Sequence, residues 1–537
     1  MFDRLRSGYQ HLSQGDREKR SGDGRITSSW PFRIIAAVAV LVMILLGVSK
    51  GTPAALAPAP LSRNVTPVGK YAKFLHILIP ANRKDPELCK LLASSQALNY
   101  PVPIILNWDE PYFDDTLAAG GWYVGRVKGV LDYLNGLPAD RGSDLVIVPK
   151  AYDTWFQLRP GVLIERYLDI NARANTRIEA HLGTQAVQHN NVTQRVVFAA
   201  QKFCAAPSDD IACLVAPPST LPRYVYGKGT DGRDPLKARE RYLDTALIMG
   251  EVKDLKPIFA KALKIMTEDA ELRGSSDDRA FARILAEQEY QREALRRLYQ
   301  SSSGRVWSNI KWFFGFEQRG VLDAYFAERT PETAQADSKL ELGIGLDYEG
   351  LLMQSTVTAE IGSEWVRHND SKKISTVRKN LKIDASQKIT LPEDISRSIA
   401  PFWSPNGAAD GFPRNQDWEN VPLYTNLWTG NVPATIRAEA SSEHTTAIRG
   451  TRWPNMWFQP QGRKMLDMYV NEPYKAFAVI KNGTHETAWW AMYEQKWAIK
   501  RQHKDAHWMN WGDICGDLHE EVFRDGKGPW NPPRGDY

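Results

Sequence analysis

Alternating apolar and polar segments predict strands and helices from about residue 73 onward. Short apolar runs predict strands, and apolar residues at helical spacing predict the helices between them. Strands are expected at Phe74–Pro80, Pro101–Trp108, Asp144–Asp153 and Arg195–Ala200, and helices at Pro86–Leu98, Gly125–Leu134 and Pro160–Ala180. This alternation favours an α/β fold class with a mainly parallel sheet flanked by helices.

The pattern continues less regularly as far as residue 365. We expect a strand at Tyr242–Gly250, helices at Asp254–Asp269 and Asp277–Gln300, and a strand pair at Leu342–Thr356. Residues 301–340 are interpreted as an insertion, and the polar, Lys-rich residues 366–400 as a mobile loop. Residues 73–365 are therefore assigned to the α/β domain. Residues 366–537, which contain eleven of the 18 Trp from Trp403 onward, are assigned to a C-terminal extension packed on the same body.

An uncharged apolar run at Ile34–Ser49 precedes this domain. Spanning a bilayer takes about 20 apolar residues, and Trp30 to Phe32 extend the run at the interface. We expect residues 34–50 to be a transmembrane signal anchor, after a cytosolic tail (1–33) and before a Pro- and Ala-rich stem (51–72). A cleaved signal peptide and a buried core helix are the alternatives.

Basic residues are denser before the apolar run than after it, which predicts a cytosolic N-terminus and a lumenal body. A short anchor suits the thin membranes of the endoplasmic reticulum or Golgi, so a single-pass type II protein is expected there. The net charge of +5 comes from 68 basic and 63 acidic residues. These charges form no dense basic stripe, which argues against a nucleic-acid partner.

Four cysteines follow the apolar run, and an even number in the lumen permits two disulfides. Cys204 and Cys213 are the favoured pair, because they flank one short loop, and a Cys89–Cys515 bridge would tie the C-terminal region to the domain. Four buried thiols are the alternative. N-x-[ST] patterns, which a lumenal body presents for glycosylation, begin at Asn64, Asn191, Asn369 and Asn482.

Several motifs, in order, resemble those of GT-A glycosyltransferases, in particular the glycosyltransferase domain of procollagen lysyl hydroxylases and fungal membrane-anchored homologues. The resemblance covers roughly residues 73–360. It is carried by PVPIILNW (101–108), GRVKGVLDYL (125–134), AYDTWFQLRP (151–160), RYLDTALIMGEVKDLKPIF (241–259), SSDDRAF (275–281) and IGLDYEGLLMQ (344–354). It implies a GT-A-like sheet and transfer of a sugar from a nucleotide-sugar donor to a glycan or glycoprotein acceptor.

The resemblance also implies roles for individual residues. Asp153 and Asp347 are expected to hold Mn²⁺ or another divalent cation, which stabilises charge on the departing diphosphate. Asp277 and Asp278, in the acidic turn, are the candidates for the catalytic base. Contacts to the nucleotide-sugar are expected from Trp108, Lys128, Lys150, Tyr152 and Asp244.

The sequence departs from the family pattern at the metal motif. The family has Asp-x-x-Asp, whereas this chain has Lys150 at the first position and Asp153 at the second. Three interpretations remain open. The chain transfers sugar with an altered metal site, or the Lys150 ammonium replaces the metal as a point charge. Alternatively, an inactive domain binds glycans or a protein partner.

Each candidate also has a structural interpretation. Asp277 or Ser276 suits the N-cap of the following helix, and Trp108 and Tyr152 suit core packing. The same choice between core packing and sugar binding applies to the tail residues Trp453, Trp457, Trp489, Trp490, Trp497, Trp508 and Trp511.

Overall fold

A computed structural model describes residues 73–108, 116–117, 121–299, 340–383, 388–403, 412–413, 416–440, 442–470, 476–482, 485–492, 498–502 and 505–530. The compact unit that runs from Ala57 to Tyr537 contains all of them. No helix within these ranges is both long and apolar enough to cross a membrane. The predicted tail, anchor and stem (residues 1–72) and most of the predicted insertion (301–339) lie outside the described residues.

A mostly parallel sheet forms the centre of this unit. Its strands are β1 (Lys73–Pro80), β2 (Ile104–Leu106), β3 (Leu145–Pro149), β5 (Val196–Gln201), β6 (Tyr242–Glu251), β7 (Ile344–Asp347), β12 (Ala478–Asn482), β13 (His485–Trp490), β14 (Ala498–Gln502) and β15 (Asp505–Met509). The order along the sheet is β15-β14-β2-β1-β3-β6-β5-β7, and β13 pairs with the start of β1. Strands β6, β12 and β15 run against the others.

Helices cover both faces of the sheet. They are α1 (Pro86–Ala97), α2 (Trp122–Asn135), α3 (Pro160–Leu182), α4 (Thr184–Asn190), α5 (Ile211–Leu214), α6 (Val252–Glu268) and α7 (Asp277–Tyr299). Alternate residues of one strand enter different cores, because side chains in a strand point to opposite faces. In β3, Ile147 packs in the core that includes α1 and α3, whereas Val148 packs in the core that includes α2, α6 and α7.

The C-terminal region contributes one strand to each of two small sheets and adds several short helices. One sheet has the order β4-β11-β8, from β4 (Thr154–Phe156), β8 (Met353–Ser355) and β11 (Thr435–Arg437), and the other pairs β9 (Ser363–Val366) with β10 (Leu423–Asn426). The helices are α8 (Ser371–Asn380), α9 (Glu393–Ser396), α10 (Glu443–Arg452), α11 (Gly462–Val470), α12 (Trp511–Ile514) and α13 (His519–Phe523). The region also extends the central sheet, because β13 pairs with β1 and β14 pairs with β2.

Both predicted disulfides are present, Cys204–Cys213 and Cys89–Cys515. The second connects α1 to the residue that follows α12, so it fastens the C-terminal region to the central sheet's helical layer. Five of the seven tail tryptophans singled out above are buried in the core: Trp453, Trp457, Trp489, Trp490 and Trp511. Core packing is thus confirmed for these five, whereas Trp508 is 43% exposed and Trp497 lies outside the described residues.

The expected mobile loop at 366–400 is wrong for part of its length, because residues 371–380 form α8. Asp370 caps this helix by accepting from Lys373 N at 2.9 Å, and Ile374 is buried against a small core. Two buried side chains, Ile374 and Arg378, and a good cap stabilise a helix that is otherwise polar. The strand expected at Pro101–Trp108 is shorter, Ile104–Leu106, because Pro101 and Pro103 have no N–H to donate to the ladder.

Candidate functional site

Lys150 stands at the carboxyl end of β3, where the chain leaves the central sheet. Its backbone N donates to Ala246 O at 3.0 Å, which extends the pairing of β3 with β6 by one residue. Its Nζ lies 2.9 Å from Asp278 Oδ2 and 3.8 Å from Asp244 Oδ1. The structure therefore brings together three residues that the sequence placed at one site.

Asp244 and Thr245 belong to β6, which enters the sheet at this same edge because it runs antiparallel to β3. Asp244 is buried, and its Oδ1 accepts from Ala246 N at 2.9 Å. Thr245 N donates to Asp278 Oδ1 at 2.8 Å, and Thr245 Oγ1 contacts both Asp277 and Asp278. Thr245 thus fixes the acidic turn against the sheet.

Helix α7 begins at this acidic turn. Ser276 Oγ accepts from Arg279 N at 3.3 Å, so Ser276 serves as the N-cap and the two aspartates occupy the first turn. Negative charge is favourable there because of the helix dipole. Asp277 is 1% exposed and forms an ion pair with the buried Arg126 of α2.

Arg437 reaches the site from β11, in the C-terminal region. Register places it beside Thr154 of β4 and Ser355 of β8. Its Nη1 donates to Asp244 Oδ2, and its Nε lies 3.5 Å from Asp153 Oδ2. Two residues further on, Glu439 accepts from Ser355 Oγ.

The electrostatics of the site follow from this pairing. Burial opposes the charge on Arg437, but Asp244, Glu439 and Asp153 outweigh it and raise the pKa of the guanidinium. Burial would raise the pKa of Asp278, yet Lys150 and Arg437 hold that pKa well below its usual range. Burial raises the pKa of Glu439, against the opposing charge of Arg437.

Negative charge exceeds positive charge in this cluster. Five carboxylates (Asp153, Asp244, Asp277, Asp278 and Glu439) contact or lie near three cations (Arg126, Lys150 and Arg437), which leaves two negative charges unmatched. Asp153 Oδ1, Asp277 Oδ1 and Glu439 Oε2 are buried and have no hydrogen-bond partner among the described residues. Across those residues, no three His, Cys, Asp or Glu side chains are placed to hold a metal ion together.

Asp347 and Lys128 make their contacts elsewhere. Asp347, at the end of β7, accepts backbone N–H bonds from Leu351, Leu352 and Met353, and burial raises its pKa to about 6. It therefore stabilises its own turn, and within the described part of the chain it shares no hydrogen bond with the Lys150 cluster. Lys128 is exposed and pairs with Asp132 on the same helix.

The two aromatic candidates are both partly buried against the core. Tyr152 has a fixed hydroxyl, which accepts from Asn82 N at 2.9 Å and from Arg83 N at 3.2 Å and donates to Asn82 Oδ1. The Arg83 guanidinium lies 4.1 Å from the centre of the Tyr152 ring. Trp108 packs on the same core, so both side chains have the contacts expected of packing residues.

Sequence reasoning missed Arg126, Arg437 and Glu439. Arg126 carried a usable signal, because the residues four and seven positions after it, Val130 and Tyr133, are apolar and buried. The residues at the same spacings after the exposed Lys128 are polar. Arg437 carried a usable signal, because it is the one charged residue between Pro433 and Ala438. A charge within a buried strand needs a partner, and here the partners are Asp244 and Asp153.

Comparison with protein-family models and with curated proteins finds no match for this sequence.

Proposed function

We propose that this chain is a glycosyltransferase of the secretory pathway that uses a nucleotide-sugar donor and a glycan or glycoprotein acceptor. One observation carries the proposal. Lys150, Asp153, Asp244, Asp277 and Asp278 come from three separated segments and meet in one contact network at the edge of a mostly parallel sheet. Open α/β sheets bind ligands beyond the carboxyl ends of their strands.

Asp153 and Glu439 fit Mn²⁺ or another divalent cation better than Asp153 and Asp347 do. Asp153 and Glu439 each have a buried oxygen without a hydrogen-bond partner among the described residues. Asp347, in contrast, uses both of its carboxylate oxygens to accept from backbone N–H groups. The two unmatched negative charges also equal the charge of one such ion. Divalent cations of this kind take one or two carboxylates and complete their coordination with phosphates and water.

A bound cation would supply charge neutralisation for the diphosphate leaving group. Lys150 has less support as a replacement for the metal, because Asp278 and Asp244 already neutralise its ammonium. Its role in this proposal is to hold those two carboxylates in place beside the phosphates.

Asp277 and Asp278 fit a positioning role better than that of the general base. A base needs a pKa near the working pH, and Lys150 and Arg437 hold the pKa of Asp278 well below that range. Asp277 is buried in its ion pair with Arg126. Both carboxylates instead fix Thr245 and Lys150.

A non-catalytic lumenal protein that binds glycans or a protein partner is the second candidate. The observation in its favour is the mutual pairing of Lys150 with Asp278, Arg126 with Asp277, and Arg437 with Asp244. These three ion pairs form without any ligand. In either case we propose a single-pass type II protein of the Golgi or endoplasmic reticulum membrane, held by residues 34–50.

Turnover of UDP- and GDP-sugars by the purified full-length chain tests the transferase proposal. Asp153→Ala and Glu439→Gln are each expected to abolish Mn²⁺-dependent release of the nucleotide while the chain stays folded. Asp254→Asn is the matched control, because it removes a largely buried carboxylate, paired with Arg195, at the opposite edge of the sheet. Normal turnover in Asp153→Ala would remove Asp153 from the site.

A further inference from the structure

The connection from β5 to β6 contains a basic loop, defined here as residues 221–241. It has six cations and three acids, a surplus of three positive charges: Arg223, Lys228, Arg233, Lys237, Arg239 and Arg241 against Asp231, Asp234 and Glu240. The loop leads directly into β6, three residues before Asp244. Its charge is therefore opposite to that of the acidic cluster beside it.

Three of these cations are available to a ligand. Arg223, Lys228 and Arg233 are exposed and form no ion pair among the described residues. Of the others, Arg239 pairs with Asp231, Arg241 donates to the carbonyls of residues 216 and 217, and Lys237 is half-buried. Tyr224, between the exposed cations in sequence, is 76% exposed, the largest value among the exposed large apolar side chains of the described residues.

The backbone that carries these side chains is held in place. Tyr226 packs edge-on against Trp428 and donates from its hydroxyl to Glu240 at 2.6 Å. Gly227 has a φ of 77° and lies against the Trp428 ring, where a side chain would be strained. Thr230 closes the turn with Tyr226 N and Gly227 O. A preformed loop loses less conformational entropy when it binds.

A pocket joins this loop to the acidic cluster. Leu221, Tyr226 and Glu240 of the loop line it together with Gln354, Ser355 and Asn426. Gln354 is 8% exposed, and its Oε1 has no hydrogen-bond partner among the described residues. Ser355 donates to Glu439, which places the loop, the pocket and the cluster in one continuous path.

We propose that the basic loop binds an anionic carbohydrate, a chain of sugars bearing carboxylate or similar groups, as the acceptor of the proposed transferase. This inference rests on the proposed function. Arg223, Lys228 and Arg233 pair with the anionic groups, and Tyr224 packs against the C–H face of a sugar ring. The pocket has a volume of about 10 Å³, so it admits a single sugar hydroxyl and not a whole ring. Gln354 Oε1 accepts from that hydroxyl, whereas the Ser355 hydroxyl is already bonded to Glu439, Val357 N and Thr358 N.

The pocket favours a carbohydrate over an acidic protein segment. Its acids are already neutralised, Glu240 by Lys202 at 3.8 Å and Glu349 by Arg173 at 2.5 Å. In this neutral lining the unpartnered Gln354 Oε1 suits an uncharged hydroxyl, which can donate a hydrogen bond to it. An acidic peptide would use the exposed cations but would not need this lining.

Binding of the full-length chain to polygalacturonate, dextran and polyglutamate tests the proposal, in assays without any nucleotide-sugar. We expect binding to polygalacturonate that weakens with salt, and none to dextran. The triple variant Arg223→Ala/Lys228→Ala/Arg233→Ala should bind about tenfold more weakly, since exposed charge pairs are individually weak. Tyr224→Ala should weaken binding to polygalacturonate without changing any binding to polyglutamate.

The matched control is Arg367→Ala/Lys372→Ala/Lys373→Ala, which removes the same charge from exposed residues at and before α8. It should leave binding unchanged. An equal loss of polygalacturonate affinity in both triple variants would show that net charge alone acts. Equal affinity for polyglutamate and polygalacturonate would indicate an acidic protein partner. Either result overturns the proposal, as does absence of binding to polygalacturonate. Because no donor is present, failure here is distinct from failure of sugar transfer.

Discussion

Arg437 donates to Asp244 across 193 residues of sequence, and the same guanidinium lies 3.5 Å from Asp153. These contacts join the C-terminal region to β6 and to the turn between β3 and β4. They also mean that the acidic site is not complete without β11. The Trp-rich region is therefore part of the site as well as part of the core.

Arg437→Ala should be strongly destabilising, because it leaves Asp153, Asp244 and Glu439 facing one another without their shared cation. Breaking a buried ion pair from one side costs about 3–5 kcal/mol. Arg173→Ala removes a guanidinium that is 38% exposed, against 17% for Arg437, and should cost about 1 kcal/mol or less. Urea denaturation measures both, and equal losses would contradict the assignment of Arg437 to the centre of the cluster.

The two disulfides should differ in their contribution to stability. The Cys89–Cys515 bridge closes a separation of 426 residues and the Cys204–Cys213 bridge one of nine. In the chain-entropy model a longer closed loop gives greater stabilisation, about 3 kcal/mol for a loop of 15 residues and about 4.7 for one of 100. Thermal unfolding of Cys89→Ser/Cys515→Ser should show the larger decrease in Tm. A larger decrease for Cys204→Ser/Cys213→Ser would refute this ranking.

Acid should destabilise the fold through His368. Burial lowers the pKa of His368 to about 4, against an unfolded value of about 6.5. Between these values the unfolded state binds more protons, so stability is fully present above pH 6.5 and is lost as the pH falls towards 4. The loss amounts to about 3 kcal/mol. The free energy of unfolding of His368→Gln should fall less over this pH range than that of the wild type. If the two proteins lose stability equally with falling pH, His368 is not the source of the acid sensitivity.

Two tryptophans of the C-terminal region should respond differently to truncation. Trp453 is 1% exposed, and its Nε1 donates to Val522 O at 2.7 Å. Trp453→Ala should cost about 3–5 kcal/mol, as expected for a large buried side chain. Trp508→Ala, at a half-exposed position, should cost about 1 kcal/mol or less. Chemical denaturation measures the free energy of unfolding of both variants. Similar losses of stability in the two would contradict the core role of Trp453.

The elements that the sequence predicted well are those with a long, regular pattern. The helices at 160–182 and 277–299 show clear helical spacing, and β1 is a continuous apolar run. Helix α8 was missed because only two of its residues are buried, so its pattern is that of a polar loop. The antiparallel direction of β6 was not predictable, because a buried apolar run has the same composition in either direction.

The candidate site was predicted only in part, because its contacts are long-range. The resemblance identified Lys150, Asp244 and Asp278, which the structure brings into contact. Arg437 ends a short strand, and Glu439 follows it; no local pattern specifies the pairing of that strand with β4 and β8. The Cys89–Cys515 pairing, in contrast, was anticipated as a possible bridge beside the favoured Cys204–Cys213 pair, with four buried thiols as the alternative.

Calorimetric titration of the purified chain with UDP and GDP, with and without Mn²⁺, tests the central proposal most directly. We expect one of the two nucleotides to bind in the presence of Mn²⁺, with binding lost in its absence and in Asp153→Ala. Binding that is indifferent to Mn²⁺ would contradict the cation site at Asp153 and Glu439. Absence of binding under every condition would contradict the transferase proposal itself and favour the non-catalytic alternative.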